Sequence, residues 1–205
     1  DINQMLSENQ NEIKFSFPSE QADYLPLNIV GWAPANQDMI IASREIFSKL
    51  EEILDIKITE ADTTSGLNNF AISQSIQSAT AGFSYFPNNF YELGSDIFIS
   101  KRFSDPFSLT NGLTNYDYEV LLHEIGHALG LKHPFEIDRN STTILNSHED
   151  STEFTAMSYD EILTTFDGMF RSLDLMTLTK LYGVNSTFNS GDDVYKFNNN
   201  SGIFL

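Results

Sequence analysis

Cysteine is absent from the 205 residues. No disulfide can brace the chain and no thiolate can act as nucleophile, so stability must come from a core and from any metal the chain holds. Positive charge is scarce: 11 Lys and Arg stand against 29 Asp and Glu, a formal net charge of −18. So acidic a chain is repelled by phosphate backbones, which excludes nucleic acid as the natural partner. Most of that charge reads as solvated surface. Long apolar runs are also missing. The densest cluster, residues 25–33, is broken by polar residues and Gly31, far short of the ~18 apolar residues of a membrane span. Residues 1–20 are too polar for a signal-peptide core, and a chain opening on Asp1 is expected to be a processed or excised form. No glycine-rich phosphate loop is present, and no Ser sits in a nucleophile's context.

Apolar residues make up 40% of the chain, with 17 Phe and 8 Tyr, enough for a sizeable core. The length suits one domain, or one domain and the start of another. Residues 12–17 alternate through Ile13, Phe15 and Phe17, which predicts a strand ended by Pro18. Residues 18–37 carry three of the six prolines and read as loop. From 37 to 54, Met39, Ile46, Phe47, Leu50 and Leu54 recur at helical spacing, predicting a long amphipathic helix. Further strands are predicted at 55–60, 69–73, 80–86 and 95–100, a loop at 101–115, and helices at 115–131 and 172–182. The order predicts an α+β fold, a twisted sheet with long helices packed on it.

Chemistry concentrates in His123-Glu124-Ile125-Gly126-His127-Ala128-Leu129-Gly130-Leu131-Lys132-His133-Pro134. His123 and His127 are four apart, so a helix sets both imidazoles on one face where they can share a metal. Gly130 lets the backbone leave the helix in a conformation costly for other residues, and the turned chain can bring His133 to the same ion. Three imidazoles and a water make an open catalytic zinc site, unlike a closed structural one. Glu124, next to the first histidine, can reach that water and serve as general base. Three of the four histidines fall in this segment, and a chance helix carrying them is a remote alternative. The fourth, His148, lies in a polar loop beside Glu149 and Asp150 and reads as solvated.

The pattern H-E-x-x-H-x-x-G-x-x-H resembles that of the metzincin zinc peptidases. Pro134 and the segment Met157-Ser158-Tyr159 narrow the likeness to the serralysins, bacterial secreted endopeptidases. The resemblance covers residues 12–200, most specifically 119–134 and 155–159. It implies a five-stranded twisted mixed sheet above a lower subdomain holding the active-site helix and the Met-turn. It implies that Met157 forms a hydrophobic floor under the zinc and that Tyr159 is an added zinc ligand, able to swing off and bind the oxyanion. The substrate would be a protein or peptide lying extended along an edge strand, for which Ala81, Gly82, Phe83, Ser84 and Tyr85 are the candidates. The family also implies secretion or display at the cell surface by type I export, a monomer, and as partners a C-terminal calcium-binding β-roll or a proteinaceous inhibitor.

The catalytic domain is assigned to residues 1–190, and 191–205 to a linker or the start of such a roll. Asn189, Gly191 and Asp193 fall where the family begins a Ca2+ site, but its completing ligands lie further along, and a polar turn is the favoured reading. Residues 135–154 and 160–171 match no family feature. The activity predicted is that of a zinc-dependent extracellular endopeptidase. Two alternatives stand beside it: a self-processing domain of a larger surface protein, and a non-proteolytic zinc-binding module, which the presence of Glu124 disfavours.

Overall fold

The computed structural model describes residues 11–62, 66–67, 69–88, 90–101, 114–137, 141–160, 168–188 and 190–191. Most of the predicted 101–115 loop lies outside them, as do Asn189 and Asp193. Among the described residues six strands and three helices follow one another: β1 (Glu12–Ser16), β2 (Ala33–Pro34), α1 (Gln37–Ile53), β3 (Lys57–Glu60), β4 (Asn69–Ser75), β5 (Gly82–Ser84), β6 (Ile97–Ser100), α2 (Asn115–Ala128) and α3 (Ser172–Tyr182). The strands form one mixed sheet in the order β3-β1-β4-β6-β5, with β2 paired to β4. β1, β3, β4 and β6 run parallel, while β5 is antiparallel to β6 and ends the sheet. The five expected strands are all present, four of them shorter than predicted and β4 two residues longer. The sixth, β2, corrects the five-stranded expectation. Its two residues pair antiparallel to β4 within the proline-rich loop, too short a run to show any alternation.

Register decides which side chains meet the helices. Phe15 pairs with Phe70, Ile72 with Ile97, and Ile97 with Ser84, and paired residues share a face. Ile13, Phe15, Phe70, Ile72, Ile97 and Ile99 therefore point to one side and form the floor of the core. Gly82 and Ser84 lie on that same side at the edge. α1 covers the β1–β4 part: its Phe47 ring stacks on Phe15 at 4.5 Å and meets Phe70 edge-on at 6.0 Å. Each such ring taken out of water contributes about 2–3 kcal/mol. On the opposite face Phe83 stacks on Phe98 at 4.9 Å.

α1 starts where the Asn36 side chain accepts the Met39 N–H, 2.9 Å away, and buries Met39, Ala42, Ile46, Phe47 and Leu50 along one stripe. α2 packs on β5 and β6 and against α1. A reciprocal cap between Thr114 and Asp117 opens it. It ends at Ala128, three residues before the predicted 131. Gly130 takes φ +98°, and the N–H groups of Gly130 and Leu131 turn back to the carbonyls of His127 and Gly126 at 2.8 and 2.9 Å. This left-handed cap closes the helix and reverses the chain. α3 leans on that end, where Tyr182 Oη donates to the Leu129 carbonyl at 2.7 Å.

Candidate active site

α2 and its cap bring the three predicted histidines together. His123 and His127 stand one turn apart on the helix, and the reversal at Gly130 returns His133 to them. The Nε2 atoms of His123 and His127 each lie 3.1 Å from His133 Nε2. His123 Nδ1 is 2.8 Å from the Ala156 carbonyl and His127 Nδ1 is 2.7 Å from the Leu131 carbonyl. A carbonyl can only accept, so both Nδ1 atoms carry the hydrogen and both Nε2 atoms present bare lone pairs. Burial adds to this, pushing His123 down to about 4 and His127 down to about 3. A single hydrogen on His133 Nε2 could serve only one of these two lone pairs, so the cluster cannot satisfy itself. A cation between them resolves the arrangement, and tetrahedral zinc would space nitrogens about 3.3 Å apart. The residues present therefore fit zinc, and these three histidines are the cluster of that kind among the described residues.

Tyr159 joins them: its Oη is 2.9 Å from His133 Nε2, and its ring stacks beside His123 at 5.6 Å. The side chain is 66% exposed. Burial, with the negative charges of Glu124 and Glu136 behind it, holds the phenol above its ordinary pKa. His133 Nδ1 comes within 3.0 Å of Glu136 Oε2, at an angle that makes no hydrogen bond. Phe135 stacks on His133 at 5.1 Å, and Phe86 meets His127 edge-on at 5.5 Å. Met157 is buried beneath α2, so close that a Cβ on Gly126 would stand 2.6 Å from its Sδ. It lies under the helix turn that carries His127. His148 is exposed and outside the cluster.

Glu124 is buried, at 5% exposure, and its Oε2 accepts from Ser84 Oγ at 2.9 Å. Burial raises the carboxyl to about 7 against the lowering effect of that hydrogen bond. The predicted edge strand is the sheet's terminal strand. β5 itself spans Gly82 to Ser84, and the ladder continues on both sides, with Ser100 N–H donating to Ala81 O and Tyr85 N–H to Asp96 O. Residues 81, 83 and 85 thus face β6, and antiparallel alternation turns the main-chain groups of Gly82 and Ser84 to the open edge.

Two supports went unread in the sequence. Asp174 is buried in the first turn of α3 and accepts from Thr155 Oγ1, Ala156 N–H and Arg171 N–H at 2.6, 2.7 and 3.0 Å. Ala156 is the residue whose carbonyl orients His123. Ser158 Oγ donates to Asp150 at 2.6 Å and fixes the same turn beyond Met157. Neither acid belongs to a motif. Their pairings join residues 8 and 18–19 apart through a loop, and only the tertiary fold reveals them.

The helix-borne histidine pair, the third histidine after a glycine turn and the buried methionine turn define a metzincin-type domain. The chain is 32% identical to the serralysin of Proteus mirabilis over 94% of its own length and 44% of that relative's. It is 27% identical to the serralysin of Photorhabdus sp. (strain Az29) over 93% of its length and 42% of the relative's. A 41% identity to serralysin B of Dickeya chrysanthemi covers 42% of the chain and 20% of that protein. The chain belongs to the serralysin-like metzincins, and it spans less than half the length of the curated relatives it matches. No family model matches it.

Proposed function

We propose that this chain is the catalytic part of a zinc-dependent extracellular endopeptidase that hydrolyses peptide bonds in proteins. The observation that carries the proposal is the convergence of three histidine Nε2 atoms beside the buried Glu124 carboxyl. His123, His127 and His133 would hold the zinc, with Tyr159 as a further oxygen ligand. A bound zinc ion would supply Lewis acidity to the attacking water and to the scissile carbonyl.

The chain's own residues then divide the work. Glu124 takes the proton of the attacking water and later passes it to the leaving amine. Burial raises the proton affinity of this carboxyl in the metal-free chain, which favours uptake of the water's proton. Tyr159 is exposed enough to swing aside when substrate enters, and its hydroxyl can then donate to the oxyanion. Met157 keeps the helix turn rigid beneath the ligands. The substrate lies extended against β5, pairing with the outward main-chain groups of Gly82 and Ser84, which favours breadth over sequence selectivity. Residues 1–190 serve as the catalytic unit. Export by a type I route suits a bacterial chain of this family.

Digestion of unfolded casein by the zinc-loaded chain tests the proposal, with Glu124→Ala and a chelated sample alongside. The expected result is cleavage that disappears on chelation and falls by at least ~100-fold in Glu124→Ala, which still binds zinc. Wild-type rates in Glu124→Ala overturn the mechanism. No cleavage of casein by a folded, zinc-loaded chain overturns a general endopeptidase acting on other proteins.

A further inference from the structure

The strand that ends the sheet also seats Glu124. Ser84 Oγ lies 2.9 Å from Glu124 Oε2 and 2.9 Å from the Glu124 main-chain oxygen. A hydroxyl has one hydrogen to donate, and both acceptors belong to Glu124, so either choice ties this one residue to β5. Two positions earlier on the same face, a Cβ on Gly82 would stand 2.7 Å from Glu124 Cγ and 2.9 Å from Oε1. The carboxyl therefore lies against the strand, one oxygen on the Ser84 hydroxyl and the other over a bare glycine. Among the described residues no donor reaches Oε1.

The terminal torsion of a glutamate is broad and nearly two-fold, so packing alone leaves the carboxyl free to turn about its last bond. The Ser84 hydroxyl, 2.9 Å from Oε2, restricts that freedom whenever its hydrogen points to the carboxyl. We propose that Ser84 and Gly82 are the positioning residues of Glu124: Ser84 occupies Oε2 so that Oε1 faces the reacting water, and Gly82 provides the room in which the carboxyl lies. This rests on the reading of Glu124 as general base. It gives β5 two separate duties. Its outward main-chain groups engage substrate, and its inward side chains place the base.

The two duties separate kinetically, because removing the Ser84 hydroxyl leaves the main-chain edge intact. Steady-state cleavage of a peptide substrate is measured for the zinc-loaded chain and for Ser84→Ala, Ser84→Thr and Gly82→Ala. Zinc content, melting temperature and crystal structures of each are determined alongside. Ser84→Ala is expected to lose about 10- to 100-fold in kcat, the scale of a misplaced catalytic group, with KM within twofold and zinc content unchanged. Ser84→Thr, which keeps a hydroxyl on the strand, recovers most of the loss. Gly82→Ala loses kcat as well, with the Glu124 carboxyl displaced from β5 in its crystal structure. The idea is overturned by a wild-type kcat in Ser84→Ala, by a KM that rises in step with the loss of kcat, or by a Glu124 carboxyl that stays put in both alanine variants. Full activity in Glu124→Ala would instead remove the general-base reading. The crystallographic position of Glu124 still tests the seat in that case.

Discussion

Asp96 is the most confined carboxyl near the edge strands, with no exposed surface. Its Oδ2 accepts from Tyr24 Oη at 3.0 Å and its Oδ1 from the Ala71 N–H at 3.3 Å. Burial outweighs both bonds and, with the nearby Glu92 charge, pushes Asp96 up to about 8. In the unfolded chain it ionises near 3.9. Between these values the folded state keeps a proton that the unfolded state has released. The stabilisation from Asp96 is thus full below about pH 4 and is lost as pH rises through about 8. Asp96→Asn keeps a carbonyl oxygen and removes the titration. Urea unfolding of chelated protein across this range should show wild type losing a few kcal/mol more than the variant, since each pKa unit is worth about 1.4 kcal/mol. A wild-type-minus-variant difference that stays flat from pH 4 to 8 would sink the argument. At this scale the convergence of the three histidines was legible because a helix fixes the spacing of His123 and His127, and Gly130 marks the reversal before His133. The proton affinity of Asp96 was not legible. It depends on Tyr24, 72 positions away, and on a burial that no local pattern encodes.

The turn before α3 shows how one element disciplines another. Asp174 holds Thr155 and Ala156, and the Ala156 carbonyl in turn holds His123 Nδ1. Burial alone pushes the Asp174 carboxyl up, while its three hydrogen bonds and the charge of Arg171 pull the other way. Arg171 itself pairs with Glu119 on α2. Asp174→Ala leaves a buried hydroxyl and two N–H groups without their acceptor, a cost of roughly 3 kcal/mol. His123 would also lose its fixed orientation, and such outer supports are worth about 10- to 100-fold in metal affinity. Thermal unfolding of the chelated variant should show the first effect, and zinc competition with a chelating dye the second. Unchanged zinc affinity in a destabilised variant would mean that the turn braces the fold without aiming the ligand. Elements were readable where the pattern was long. β4 was read two residues short, at 69–73 for Asn69–Ser75, and the stripe of α1 gives its helix within one residue of both ends. β2 was not readable, because Ala33 and Pro34 are strand only through their partners Gln74 and Ser73. The three-residue error at the end of α2 came from extending apolar spacing through Leu129 and Leu131, which stay buried after the helix has turned away.

At the scale of the whole molecule, a chain with no cysteine and a formal charge of −18 has few ways to cross-link its lower half. α2, the segment after Gly130 and the turn around Met157 meet at the histidine cluster. The upper half is braced differently: Leu54 bridges Val184, Asp55 N–H donates to Gly183 O, and Asn185 N–H to Ile53 O, tying the chain after α3 to the end of α1. A zinc ion shared by His123, His127, His133 and Tyr159 would cross-link three segments already joined by core packing and a few hydrogen bonds. A ligand that binds only the folded state adds about 4 kcal/mol when present at a thousand times its Kd. Zinc should therefore raise the melting temperature of the chelated chain by several degrees. The gain should be uneven. Amide hydrogen exchange is expected to slow most in residues 131–137 and 155–160, where the ligands leave regular structure, and least in β1, β3 and β4, which the core already holds. Equal protection everywhere would show that zinc acts on global unfolding alone. No protection in those two segments would show that the histidine cluster is already rigid without metal and that the metal site is preformed by the Asp174 and Gly130 turns.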